Sequence, residues 1–262
     1  MTEVFTFREG RGPLLVSVPH DGRGVPPAIR ERMTAAGREL PDTDWHVARL
    51  YDFVHELDAS LLVANYSRYV VDLNRPASDA TLYPGQVATG LCPVQTFAGD
   101  DIYETGAVDA NDRQQRIDRY WRPDHEQLGA ALAAIQERYG YALLWDAHSI
   151  PSRVPRLFDG ELTELNVGTY GGKSCAPAIE TGITAEALAS PFAAVLNGRF
   201  QGGFITRHYG DPAGRVHAVQ LEIAQRVYMD EPARAYDVEK ASRLRGTLRH
   251  LLEVFIELGK KG

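Results

Sequence analysis

Three apolar runs constrain this chain most, because each ends in a side chain that can hold a metal or move a proton. Leu14-Leu15-Val16-Ser17-Val18 leads into Pro19-His20-Asp21-Gly22. Tyr141-Ala142-Leu143-Leu144-Trp145 leads into Asp146-Ala147-His148-Ser149, and Val216-His217-Ala218-Val219-Gln220-Leu221 into Glu222. Short apolar runs bounded by Gly, Pro or polar residues read as buried strands. Open α/β sheets bind ligands beyond the carboxyl ends of such strands. Two histidines and a glutamate delivered there are what a hydrolytic zinc site needs.

The segments between these runs alternate between helical and extended patterns, which predicts an α/β fold. A length of 262 residues accommodates a single domain over 1–262. Helices are expected over 26–36, from Asp44 onward, over 112–138 and over 235–258. The helix after Asp44 would present Val47, Leu50, Tyr51, Val54 and Leu57 on one face. Pro123 should break or kink the third. The last would bury Val238, Ala241, Leu244, Leu248, Leu251 and Phe255. Two short strands, 61–64 and 69–73, are expected around a turn at Asn65-Tyr66-Ser67. Long irregular stretches over 75–109 and 150–184 would roof the strand ends and exclude water. Leu82, Tyr83, Leu91, Phe97 and Tyr103 favour order in the first.

Composition removes several function classes. The net charge of −7 argues against a general nucleic-acid binder. Local arginines can still receive an anionic substrate. Two cysteines, Cys92 and Cys175, are too few for a disulfide framework. Cys175 lies in a Gly-rich loop with no evident partner for a nucleophilic role. The chain shows no signal peptide and no membrane-length apolar run, so a cytoplasmic protein is expected. There is no P-loop, dinucleotide-binding glycine motif, H-E-x-x-H or G-x-S-x-G.

Each candidate residue has a chemical and a plainer reading. His20 fits a metal ligand or a turn histidine bound to a backbone carbonyl. His148 fits a ligand or a buried His–Asp pair with Asp146, whose spacing places both on one side of an extended segment. Glu222 fits a general base with raised pKa or a half-exposed strand carboxylate. Arg68 and Arg75, with Asn74 beside them, fit a carboxylate grip or ordinary surface charge around a turn. Asp42 and Asp44 fit helix N-caps or a metal ligand. His46, His55, His125 and His250 fall on helix-like segments as solvated or packed side chains. Arg207-His208-Tyr209-Gly210 is a further polar cluster within reach of a substrate.

Taken together, the segments resemble the N-formylglutamate amidohydrolase family. The resemblance is carried by Ser17-Val18-Pro19-His20, Asp42-Thr43-Asp44-Trp45, Ser67-Arg68-Tyr69, Asp72-Leu73-Asn74-Arg75 and Leu82-Tyr83-Pro84-Gly85. It continues through Tyr120-Trp121-Arg122-Pro123, Trp145-Asp146-Ala147-His148-Ser149-Ile150 and Asn166-Val167-Gly168-Thr169. The last matches are Gly202-Gly203-Phe204-Ile205-Thr206-Arg207-His208-Tyr209-Gly210 and Gln220-Leu221-Glu222-Ile223.

The family looks related to zinc carboxypeptidases and aspartoacylase-type hydrolases. That relation implies a three-layer α/β/α fold with a mixed central sheet, and a zinc ion held by two histidines and a carboxylate. Carried onto this chain, His20 and His148 are the histidine ligands, Glu222 the general base and Arg68 the carbonyl polariser. Asn74 and Arg75 clamp one substrate carboxylate, and Arg207 or Arg153 the other. Those relatives carry the ligand carboxylate three residues after the first histidine, where this chain has Arg23. Asp44 is the first choice to replace it and Asp42 the second. The implied substrate is a small dianionic N-acyl amino acid, formylated glutamate of histidine breakdown. Another N-acyl amino-acid hydrolase and a non-catalytic metal- or amino-acid-binding protein are the alternatives.

Overall fold

The computed structural model describes residues 3–82, 89–105 and 108–261. Strands β1 (Phe5–Arg8), β2 (Leu14–Val18), β3 (Ser60–Ala64), β4 (Ala142–Ile150), β5 (Leu165–Gly168), β6 (Ala194–Leu196) and β7 (Val216–Ala224) form one sheet. Their order is β1-β3-β2-β4-β7-β5-β6. The centre, β3-β2-β4-β7, is parallel, while β1 and β5 run antiparallel to β3 and β7. The sheet is therefore mixed, as the resemblance implied. Strands β8 (Met229–Asp230) and β9 (Ala235–Tyr236) form a small separate hairpin.

Helices α1 (Pro27–Arg30), α2 (Ala35–Arg38) and α3 (Val47–Leu50) are single turns. The longer ones are α4 (Ala110–Arg116), α5 (Arg122–Tyr139), α6 (Pro177–Ala189), α7 (Phe204–Tyr209) and α8 (Val238–Gly259). Strand periodicity divides the core. Leu14, Val16, Val18, Leu143, Trp145, Val219 and Leu221 face α6 and α8 in one cluster. Leu15, Leu144 and Ala218 face α5 and α7, against Leu128, Leu132, Ile135 and Ile205. The result is three layers. Successive strand side chains alternate between faces, so Asp146 and His148 follow Leu144, and Glu222 follows Ala218, onto the α5 and α7 side.

Several expectations are corrected. The helix expected over 26–36 is replaced by two separate turns, α1 and α2, and Gly37 of α2 abuts the Ile102 backbone, where a Cβ would lie 2.5 Å from the carbonyl oxygen. The helix after Asp44 is α3 followed by a 3₁₀ turn, Asp52–Leu57, which still buries Val47, Leu50, Tyr51 and Val54. Residues 69–73 are not a strand. Tyr69, Val70 and Val71 are buried in a second cluster, and Arg116 Nη1 donates to the carbonyls of Tyr69 and Val70 in place of a sheet ladder. The stretch 150–184 holds β5 and the start of α6 rather than one long loop. Val238 is exposed, although the rest of the expected α8 face is buried. Tyr83, Pro84 and Gly85 lie outside the described residues.

Pro123 does not break its helix. The chain widens into a π turn, Ile117–Trp121, closed by Arg122 N–H on the Ile117 carbonyl, and α5 restarts with Pro123 in its first turn. A proline offers no N–H and crowds the carbonyl four residues back. The wider turn relieves both demands without ending the helix.

Candidate active site

His20, just beyond β2, and His148, near the end of β4, lie with ring centroids 4.9 Å apart. Between them stands Asp44, buried like both histidines. The backbone explains how Asp44 arrives there. Its N–H donates to the His20 carbonyl, and its Oδ2 accepts from the Ser149 N–H at 3.1 Å. The helix-cap alternative for Asp42 and Asp44 is not what forms. Asp21 takes that part, accepting from the N–H groups of His46 and Ala48 at the head of α3. Asp42 Oδ2 is occupied by Tyr69 Oη and the Phe97 N–H. Arg23, at the position of the relatives' carboxylate, lies over the Trp45 ring instead.

Both histidines turn Nδ1 toward Asp44, at 3.7 Å for His20 and 3.1 Å for His148. Their opposite nitrogens are held by carboxylates. His20 Nε2 lies 2.8 Å from Asp72 Oδ1, and His148 Nε2 lies 2.9 Å from Asp146 Oδ1. A carboxylate on Nε2 keeps the proton there and leaves the Nδ1 lone pair for a metal. The three donor atoms lie within 4.8 Å of one another. Ligands sharing one tetrahedral zinc are about 3.4 Å apart. His20 Nδ1 and Asp44 Oδ1 are buried without a hydrogen-bond partner, which is costly unless something else satisfies them. The residues therefore fit a divalent metal ion.

The electrostatics agree. Burial opposes ionisation of Asp44, but its contact with His148 and the nearby His20 ring outweigh that and hold its carboxyl below the usual range. Burial works against a charged His148, yet the Asp146 and Asp44 carboxylates keep its proton affinity well above that of a free imidazole. A cation at this spot would take the place of that proton.

Glu222 stands beside His148, since the two are register partners across β4 and β7. Burial pushes its carboxyl up to about 8; Asp44 and Asp146 add to the effect, while His148 and Arg68 oppose it. A cation held by the ligands would pull it back toward neutrality, the range of a proton shuttle. Arg68 is buried, donates to Asp72 Oδ2 at 2.8 Å and lies 3.5 Å from Asp44 Oδ1. The ring of Phe97 covers its guanidinium.

One cleft is lined by His20, Asp44, His148, Glu222, Arg68, Asn74, Arg75, Arg199 and Gln220, with Phe97, Ile150, Leu157 and Phe200 as its apolar wall. Asn74, expected to clamp substrate, has a committed amide. Its Oδ1 accepts from the Ile205 N–H at the head of α7, and its Nδ2 lies against Asp146 and His148. Gly203 makes this fit possible, because a Cβ there would lie 2.3 Å from Asn74 Nδ2. Arg75 reaches the cleft with Nε on the Thr89 carbonyl.

Two expected residues are not part of the cleft lining. Arg207 donates to the carbonyls of Gly202 and Leu82, and exposed Arg153 pairs with Glu161. Sequence reasoning missed Arg199, which no motif marks. It also gave no separate part to Asp72, which grips His20 and Arg68 at once.

Comparison with known proteins places this geometry in context. Residues 12–229 match the profile of the N-formylglutamate amidohydrolase family. An N-formylglutamate deformylase of Pseudomonas aeruginosa is 50% identical, with 100% of this chain and 99% of that protein covered. One from Pseudomonas putida is 46% identical, covering 99% and 98%. The crystal structure of an N-formylglutamate amidohydrolase from Ralstonia eutropha JMP134 superposes with a TM-score of 0.81 at 25% identity, covering 98% and 97%. A gene product of Agrobacterium tumefaciens shares the fold, with a TM-score of 0.72 at 16% identity and 96% of each chain covered. The chain belongs to the N-formylglutamate amidohydrolase family.

Proposed function

We propose that the chain hydrolyses the formamide bond of N-formyl-L-glutamate to formate and L-glutamate, with one zinc ion held by His20, Asp44 and His148. The observation that carries the reading is the convergence of both Nδ1 atoms on Asp44, with Glu222 in register beside them. The substrate comes from the relatives of 50% and 46% identity, both named N-formylglutamate deformylase. When bound, the ion supplies a Lewis acid that polarises an amide carbonyl and makes water reactive near neutral pH.

The chain's own groups do the rest. Glu222 accepts the proton of the attacking water and delivers it to the departing glutamate nitrogen. Arg68, fixed by Asp72, faces the developing oxyanion. Arg75 and Arg199, the cationic side chains elsewhere on the cleft wall, take the two substrate carboxylates. This explains how a chain of net charge −7 receives a dianion. The apolar wall of Phe97, Ile150, Leu157 and Phe200 excludes water from the acyl side.

Among the described residues, no helix is long and apolar enough to cross a membrane. A cytoplasmic location suits the two free, buried cysteines. The experiment is an acyl series on L-glutamate. Rapid formate release from the N-formyl compound, with N-acetyl- and N-succinyl-glutamate at least about 100-fold slower in kcat/KM, supports the reading. The reverse order overturns the formyl assignment while leaving an N-acyl hydrolase.

A further inference from the structure

The segment Asp72-Leu73-Asn74-Arg75 ties the whole site together. Asp72 holds His20 and Arg68, Asn74 lies against His148 and Asp146, and Arg75 lines the cleft. The segment is not a strand, so no ladder holds its backbone on both sides. Two of its carbonyls are instead gripped from behind by one helix. Trp121 Nε1 donates to the Arg75 carbonyl at 2.9 Å. His125 Nε2 lies 2.9 Å from the Leu73 carbonyl, to which it must donate because a carbonyl only accepts.

The two rings are stacked, with centroids 3.8 Å apart and planes 25° apart. The Leu73 carbonyl thus fixes the tautomer, and His125 Nδ1 lies 2.9 Å from the Tyr209 hydroxyl, which also donates to the His125 carbonyl at 3.1 Å. Burial pushes the His125 imidazole down to about 4, so it stays neutral at working pH. Trp121 ends the π turn and His125 lies one turn on, in α5. The widened turn thus ends at the first donor, with Pro123 between it and the second, as π turns often lie at functional sites.

We infer that Trp121 and His125 form a latch that positions the Asp72–Arg75 segment, Trp121 aiming Arg75 at the substrate and His125 setting Asp72 and Asn74 against the two histidines. This rests on the functional reading above, in which Arg75 takes a carboxylate and the histidines hold a metal. Neither residue touches substrate; both act through the segment's backbone. The pair has distinct expected signatures because each grips a different carbonyl. Loss of one ordinary hydrogen bond is worth about fivefold in an equilibrium.

The test uses the full-length protein carrying Trp121→Phe, which keeps the stack and removes the donor, His125→Leu, and His125→Gln, which restores a donor. Three readouts are taken: amide hydrogen–deuterium exchange over residues 69–78, zinc affinity by chelator competition, and KM and kcat on N-formyl-L-glutamate. Trp121→Phe should speed exchange over 69–78 and raise KM about fivefold, with kcat and zinc affinity within about twofold. His125→Leu should weaken zinc about fivefold, and His125→Gln should recover most of it. Unchanged exchange over 69–78 in Trp121→Phe and His125→Leu overturns the latch. Equal acceleration in β4 and β7 also overturns it, by showing general loosening. Faster local exchange with unchanged KM in Trp121→Phe overturns the positioning role. If the parent protein releases no formate from N-formyl-L-glutamate, the functional reading falls, and exchange alone still decides the latch.

Discussion

Replacing Asp146 by Asn should weaken zinc without unfolding the protein. Asp146 is fully buried. Its Oδ1 accepts from the His148 Nε2–H at 2.9 Å, and its Oδ2 accepts from Thr206 Oγ1 at 2.9 Å. Asn keeps the shape but removes the charge, and hydrogen bonds to an ionised partner are roughly twice as strong as neutral ones. Losing that surplus costs the ligand about 1 kcal/mol, or about fivefold in zinc affinity, close to the lower end of the 10–100-fold typical of such outer carboxylates. If the new amide turns its nitrogen to His148, the proton moves to Nδ1, the ligand lone pair is lost and the effect grows. The assay is competition against a chromophoric chelator on the metal-free protein, with melting temperature as the control for folding. Asp72→Asn provides a parallel case, since Asp72 holds the other histidine. Zinc affinity within twofold of the parent in a stably folded Asp146→Asn protein would refute the orienting role of the carboxylate.

Three further outcomes are expected. Glu222→Gln should lower kcat by about 10²–10⁴ with KM little changed, as for removal of a general base; an unchanged kcat in steady-state assays removes the assignment. Arg199→Ala should raise KM for N-formyl-L-glutamate by about tenfold, because a charge-assisted hydrogen bond to the substrate carboxylate can no longer form. With N-formyl-L-glutamine, which lacks the side-chain carboxylate, loss of the effect assigns Arg199 to that carboxylate and an equal effect assigns it to the α-carboxylate, while no effect on N-formyl-L-glutamate removes Arg199 from binding. Asp124 is buried in α5, and burial alone pushes its carboxyl up to about 7. Because its folded pKa lies above the unfolded value, folding favours its neutral form, and stability falls as pH rises from about 4 through 7. Asp124→Asn should therefore be about 2–4 kcal/mol more stable at pH 8 and no different at pH 4. Melting curves at the two pH values decide it, and a gain of equal size at both would contradict the titration.

The legible parts of the fold were those that periodicity writes plainly. β2, β4 and β7 are short apolar runs whose alternate residues face two different helical layers, and the candidate site residues lie near or just past their carboxyl ends. The segment 69–73 misled because Tyr69, Val70 and Val71 are as apolar as a strand. The carbonyls of Tyr69 and Val70, however, are satisfied by Arg116 and by Tyr103 Oη rather than by a neighbouring strand. A side chain from 46 residues away in sequence leaves no local trace. Pro123 announced an irregularity but not its kind, since both a kink and a π turn accommodate a missing N–H.

In the site, His20, His148, Asp44 and Glu222 were readable as residue types at strand ends and near a helix start. Their mutual geometry depends on contacts across the sheet and on the backbone bonds that bring Asp44 between the histidines. The arginines proposed to take the substrate carboxylates were the least legible. Arginine clusters are common on surfaces, and only the folded cleft separates Arg75 and Arg199 from Arg153 and Arg207.

The most direct measurement is formate release from N-formyl-L-glutamate by the protein as isolated, after exhaustive chelation, and after stoichiometric zinc is returned. Turnover that disappears on chelation and returns with zinc is the expected result. Full turnover by the chelated protein would contradict a metal centre at His20, Asp44 and His148.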